Sequence, residues 1–396
     1  FSHVNCCPVL DSTTRVPLLT VRQLTTAPEA AHVPDEQLQI FRTIENNPVK
    51  HTADHLHRFY TVPTNDHQQL FQYGGLTKRF KKQVETFVEC AFLVRSPAVE
   101  IISYLNETDY TRPPNKYVLC ILYNCKFSVK NDKTDDFHIV SRRFKQMLYG
   151  NDYSINYFSA PLWFRRFKEV ATSPTKEGYQ DLPIDAASWL VHFKHQNNTL
   201  LSQLDIRVSK DYEWSSREST KQGASLVELI DLGISRLKYA CNIIYALTDE
   251  LKFASIAGKC QTLVAIDGFN AFFAQTSKIK DEDKKMVIPK QVSLTDAFLN
   301  ITKYDWCNGA ILVTVDPING DWSGFPRYLL GKEGFEHLDP FLPVRLDNYT
   351  PEEFDSVIEY YKDRKWIRNI TKEGQRELEL LTGRNPYHVM HYTTPL

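Results

Sequence analysis

Glycine is scarce in this chain, with 15 among 396 residues, and residues 76 to 149 contain none. That scarcity limits where the backbone can wrap an anion, because loops that turn N–H groups onto a phosphate rely on residues free to adopt positive φ. The phosphate-loop pattern Gly-x-x-x-x-Gly-Lys-Ser/Thr is absent. Only Gly258 and Gly331 precede a lysine; five positions upstream stand Phe253 and Pro326, and after the lysine stand Cys260 and Glu333. A site lacking about four charged hydrogen bonds, each worth about 1.5–3 kcal/mol, loses most of the roughly 8 kcal/mol behind micromolar affinity. Charge imbalance is missing too: 47 Lys plus Arg against 48 Asp plus Glu give a net charge of -1, which excludes a polycationic nucleic-acid coat and makes any RNA contact local. Uncharged stretches such as the one around Ala240 to Thr248 fall short of the roughly 20 apolar residues a bilayer helix needs, so no membrane insertion is expected. The eight cysteines, at 6, 7, 90, 120, 125, 241, 260 and 307, form no C-x-x-C pair, which argues against a structural zinc site or disulfide framework and for reduced thiols. No G-x-S-x-G elbow or H-E-x-x-H helix is present, and nothing in the spacing argues for an enzyme.

What the chain does have is ample apolar material, 42% of its residues, in patterned blocks. Residues 1–55 lack a sustained apolar period and carry Pro8, Pro17, Pro28, Pro34 and Pro48, so they read as an N-terminal extension. Its first 28 residues set Arg15 and Arg22 and many hydroxyls against the lone acid Asp11, a composition shared by organelle transit segments and by plain disordered termini. Residues 56–330 read as an α/β core. The spacing of Phe80, Val84, Phe87, Val88 and Ala91 predicts a helix after Thr77, and the apolar run Lys116 to Tyr123 predicts a strand. Two long helical patterns follow, at 184–204 and 223–252, the second long enough for seven or eight turns as one helix. Leu263–Ile266 and Gly309–Asp316 are near-continuous apolar strands separated by a helical segment, the signature of a parallel sheet with helices on both faces. Residues 331–396 read as a small C-terminal lid domain, with strand-like LPVRLDNY and then a helix announced by Thr350, Pro351 and Glu353 at N-cap, first-turn and capping-box positions.

Among chemical constellations, the sharpest is TLVAID, which ends a buried strand in Asp267. In nucleotide-hydrolysing α/β folds a carboxylate there can hold Mg²⁺ or orient water; an Asp ending a strand is also a common turn starter. Basic residues cluster three times: Lys78, Arg79, Lys81 and Lys82; Arg142, Arg143 and Lys145; Arg165, Arg166 and Lys168. Residues 60–170 hold 16 basic and 11 acidic side chains, a net of +5, against 9 and 12, a net of -3, in 331–396. Interleaved with Phe80, Phe144, Phe164 and Phe167, the first and third clusters are candidate RNA contacts, the alternative being a solvated helix face. His51, Asp54, His55 and His57 carry metal-ligand chemistry without a helix to fix their geometry, and no metal site is assigned. Five N-x-[ST] sequons, at Asn106, Asn197, Asn300, Asn348 and Asn369, lack a signal segment and are not read as glycosylated.

The block LLGKEGFEHLDPFLPVRLDNYTPEEF, with RFYTVP at 58–63, EWSSREST at 213–220 and LVAIDGFNA at 263–271, resembles the death-associated protein family of the mitochondrial ribosomal small subunit. The resemblance covers most of residues 55–390. It implies a P-loop NTPase fold of the AAA+ kind, residence in the mitochondrial matrix, and a structural place in the small mitoribosomal subunit among its rRNA and proteins. It also implies guanine nucleotide with Mg²⁺ in relatives, Asp267 being the matching acid, and a link to apoptosis. The alternative function is a GTP- or ATP-binding switch. Where relatives have the Gly-rich loop and its helix, residues 120–153 here are atypical, through either true divergence or an error in the gene model. Loss of that helix predicts an uncovered sheet face.

Overall fold

A computed structural model describes residues 41–63, 78–121, 154–157 and 170–394, apart from 267, 276, 278, 282 and 316–325; at 78–81, 121, 154–157, 199 and 326–329 it describes the backbone alone. The chain enters along a short antiparallel pair, β1 (Phe59–Val62) and β2 (Cys90–Leu93), joined through α1 (Lys78–Phe87). Alternation puts Phe59, Ala91 and Leu93 on one face and Tyr60, Val62, Cys90 and Phe92 on the other, and both faces are buried. The predicted helix over 78–91 stops at Phe87 because Val88 adopts a left-handed φ of 56° and turns the chain into β2.

After α2 (Ser96–Glu107) comes the main sheet. Its strands are β3 (Asn115–Ile121) and β4 (Ser154–Tyr157), then, beyond the two-residue hairpin arms β5 (Ala171–Thr172), β6 (Gln180–Asp181), β7 (Tyr212–Glu213) and β8 (Ser219–Thr220), β9 (Thr262–Ile266), β10 (Gly309–Val315) and β11 (Leu342–Leu346). The order is β11-β3-β10-β9-β4, and every pairing in it is parallel. The expected parallel sheet is therefore present, with β11, from the 331–396 stretch, as an edge strand.

Both faces of this sheet are covered, as parallel strands require. On one, Val118, Val264, Ile266, Ile311 and Val313 pack under α3 (Pro183–Gln196), α4 (Asn198–Gln203), α5 (Leu226–Ser235), α6 (Ala240–Ile256) and α7 (Ser293–Ile301). On the other, Ile101, Ile102 and Leu105 of α2 cover Tyr117, Leu119, Leu263 and Leu312. The uncovered face expected from residues 120–153 is thus not what is found, because α2, which precedes β3, supplies the apolar stripe. The single helix predicted over 223–252 is two. Arg236 leaves helical geometry at φ -119°, ψ 81°, and α6 folds back against α5. Gly233 allows α6 to approach closely, since a Cβ there would lie 3.0 Å from Ile243 Cγ2 of α6, as well as 2.4 Å from Leu190 Cδ1 of α3.

Beyond α8 (Pro326–Leu338) and β11, α9 (Pro351–Asp363), α10 (Lys372–Thr382) and α11 (Pro386–Thr393) close the chain. The capping box foreseen for α9 is present: Glu353 N–H donates to Thr350 Oγ1 at 3.2 Å and Thr350 N–H to Glu353 Oε2 at 3.0 Å. These helices pack against the N-terminal hairpin. Phe59 stacks on Tyr360 at 4.1 Å, and Phe87 meets Trp366 edge-on at 5.2 Å.

Candidate functional site

In an open parallel sheet, ligands bind outside the carboxyl ends of strands where neighbouring connections leave in opposite directions. Here the chain leaves β3 toward β4, past β10 and β9, and leaves β10 toward β11 on the other side of β3. The switch point therefore lies between β3 and β10, where Cys120 pairs in register with Val315. Next to it, Gly268 takes a left-handed φ of 64° and donates its N–H to Thr314 Oγ1 at 3.1 Å, tying the exit of β9 to β10. Burial pushes the Cys120 thiol up to about 12, so it is a neutral apolar group and no anion ligand. Asp267 lies outside the described residues, as do 122–153 and 316–325, which follow β3 and β10.

The most perturbed group in the sheet sits at the opposite end. Lys116 in β3 is buried, donates from Nζ to the His337 carbonyl at 2.9 Å, and lies 3.6 Å from the centre of the Tyr304 ring. Burial, only partly offset by Asp339, lowers its pKa to about 7. Burial and then the Lys116 and Lys303 charges lower His337 to about 4, while its Nε2 sits 2.7 Å from Thr302 Oγ1. Tyr304, whose OH donates to the Leu338 carbonyl at 3.0 Å, is pushed up to about 12. Sequence reasoning treated Lys116 as the start of an apolar run; the signal available was a lone cation at the second position of a buried strand. Its donor and ring contacts make it an internal strut linking β3 to the 302–339 segment.

The candidate RNA residues separate. In α1, Gln83 and Phe87 are buried while Lys82 is exposed; the side chains of Lys78, Arg79 and Lys81 lie outside the described residues. Arg165, Arg166 and Lys168 lie outside them too, as do Arg142, Arg143 and Lys145. His51 and His55 of the 51–57 segment are engaged locally. His51 Nε2 is 2.9 Å from the Glu45 carbonyl, and His55 Nδ1 accepts from Thr52 N–H at 3.0 Å. Among the described residues no group of three His, Cys, Asp or Glu is placed to hold a metal, and no helix is long and apolar enough to cross a membrane.

Charge instead concentrates where the hairpin meets the last helices. Arg95, just after β2, reaches Glu353 of α9 through Nε and Nη2 at 3.0 Å each, and its Nη2 also donates to the Asp347 and Asn348 carbonyls at 2.9 and 3.2 Å. Glu89 accepts from Arg42 at 2.9 Å, from the Tyr360 OH at 2.8 Å, and pairs with Arg364 at 3.1 Å. No sequence pattern pointed to this network, whose partners lie up to 275 positions apart.

A parallel sheet covered by helices on both faces, with its switch point between β3 and β10, defines an α/β protein of the doubly covered kind. Known proteins narrow that class. Residues 154–392 match the family described as mitochondrial ribosomal death-associated protein 3, and the chain belongs to that family. It is 36% identical over 363 residues to Small ribosomal subunit protein mS29 of Bos taurus, covering 89% of this chain and 88% of the relative. Its identity to mS29 of Mus musculus is 34% over 369 residues, 91% of each. A chain of the solved "Structure of E. coli MS115-1 HORMA:CdnC:Trip13 complex" aligns with TM-score 0.30 and 11% identity over 83% of this chain and 81% of that one, too slight a likeness to carry an argument.

Proposed function

We infer that this chain is a structural constituent of the mitochondrial small ribosomal subunit. The observation that carries this reading is similarity to two mammalian small-subunit proteins along about nine-tenths of both partners. The protein works in mitochondrial translation, touching small-subunit rRNA and neighbouring ribosomal proteins rather than turning over a substrate. The exposed Lys82 of α1 suits phosphate contact. Tagged protein from mitochondrial lysate should migrate with the small subunit on a sucrose gradient at moderate salt; protein remaining at the top of the gradient would overturn the reading.

The core is read as a P-loop NTPase of the AAA+ kind without its phosphate loop. Numbered in chain order, its sheet strands run fifth, first, fourth, third, second, which sets the first strand beside the switch point. Residues 347–394, with the β1–β2 hairpin, are read as the lid-like flank. GTP with Mg²⁺ does not fit the residues present: no Gly-x-x-x-x-Gly-Lys-Ser/Thr exists anywhere in the chain, and β3 carries, just before its last residue Ile121, the neutral, buried thiol of Cys120. No step through a nucleotide is therefore derived. Mant-GTP fluorescence in the presence of Mg²⁺ checks this, the expected outcome being no saturable signal below millimolar concentration.

A further inference from the structure

The C-terminal segment is acidic in sum, but one stretch reverses the sign. Residues 362–376 contain six basic side chains and two acidic, a net of +4, whereas the remainder of 331–396 holds three and ten, a net of -7. Two of the six cations are engaged: Arg364 pairs with Glu89 and Asp363, and Lys362 with Glu359. Lys365, Arg368, Lys372 and Arg376 are exposed, and none forms an ion pair among the described residues.

The backbone presenting them is held firmly. Lys365 sits at a left-handed φ of 57°, its N–H donating to the Lys362 carbonyl at 3.0 Å, and Trp366 N–H donates to the Tyr361 carbonyl at 2.8 Å. The Trp366 side chain is buried in the aromatic cluster and donates from Nε1 to Thr393 Oγ1 at 3.2 Å. Thr371 caps the next helix, accepting from Gly374 N–H at 3.1 Å. Lys372 and Arg376 then stand four residues apart on one face of α10, where two like charges cost an isolated helix a few tenths of a kcal/mol. A polyanion laid across that face removes the cost.

We propose that the turn and helix start from Lys365 to Arg376 form an rRNA-phosphate contact surface. The proposal rests on the small-subunit reading above and goes beyond it by naming the surface. Chemistry favours RNA over an acidic protein: protein interfaces centre on buried apolar and aromatic groups and are depleted in Lys. No large apolar side chain between 362 and 376 is exposed, the exposed Leu380 and Leu381 lying in the second half of α10 beyond the four cations. Unpaired Arg and Lys on a firm scaffold match the phosphate contacts that set register on a nucleic acid.

The test uses the full chain with Lys365→Gln, Arg368→Gln, Lys372→Gln and Arg376→Gln combined. A control of equal charge change carries Arg217→Gln, Lys259→Gln, Lys280→Gln and Lys284→Gln, exposed positions elsewhere. Binding to a transcript of the mitochondrial small-subunit rRNA is titrated against salt. Each neutralised phosphate contributes roughly 0.7–0.9 to the slope of log K on log salt, so the quadruple variant should lose about 3 from that slope while the control keeps it and both unfold at the wild-type temperature. Equal slopes for all three proteins would overturn the proposal. Equal slopes with loss of protein cross-links from the variant would replace RNA by an acidic protein face, which also overturns it. Because the slope is read on purified protein, it judges the surface even if gradient migration of the wild type refutes the small-subunit reading.

Discussion

The main sheet and its flanking unit are stabilised by different means. In the sheet, Val118, Val264, Ile311 and Val313 are wholly buried among other aliphatic side chains, and its buried cation Lys116 lies at one end. In the flank, β1, β2 and α9 meet through stacked aromatics and through two carboxylates, Glu353 and Glu89, each gripped by arginines from distant parts of the chain. Hydrophobic burial is nondirectional and tolerates neighbours of similar shape, whereas a buried ion pair does not tolerate losing one member. The sheet should therefore fail by overpacking and the flank by charge removal.

The largest effect is expected at Gly309. A Cβ there would sit 2.2 Å from the Thr262 carbonyl oxygen and 2.3 Å from the Trp306 ring, with backbone on one side. Gly309→Ala should cost at least about 3 kcal/mol and lower urea midpoints read from sheet and flank together. Arg95→Ala comes next. It strands the buried Glu353 carboxylate, and a loss of about 3 kcal/mol should appear in the flank while the sheet keeps its amide protection. Arg95→Lys should recover only part, since a lysine cannot span both carboxylate oxygens.

A smaller effect of opposite sign is expected at Lys116. Its folded pKa of about 7 lies below the usual 10.5, so between those values the unfolded chain binds more protons and stability rises with pH. His337, lowered from 6.5 to about 4, adds a second rise between pH 4 and 6.5. Lys116→Met should stabilise the protein by on the order of 1–2 kcal/mol at pH 6 and flatten the rise above pH 7; thermal melts across pH 5 to 10 measure both. Smallest is Lys194→Ala, which breaks the exposed pair with Asp231 and should change stability by less than about 1 kcal/mol.

Sequence patterning reached the sheet and not the flank for a physical reason. A parallel strand buried on both faces writes itself as a continuous apolar run, so Leu263–Ile266 and Gly309–Val315 were legible, and the Thr350–Glu353 cap is a contact within one turn. Arg95 with Glu353 and Glu89 with Arg42 are contacts across hundreds of residues with no period to reveal them. The break at Arg236 was hidden because apolar spacing continues on both sides of it. Lys116 was masked by its apolar neighbours. Of the candidate RNA residues only Lys82 can be placed as exposed, and the basic turn at 365–376 escaped notice because the segment around it is acidic in sum.

The hairpin and the C-terminal helices are held to one another through Arg95, Glu353 and Glu89, and the sheet does not depend on that latch. Hydrogen exchange on the Arg95→Ala chain reads this independence amide by amide. Amides of β1, β2 and α9 should lose protection together while those of β3, β9 and β10 keep theirs. Uniform loss across all six elements, or loss in α9 alone with β1 and β2 unchanged, would contradict it.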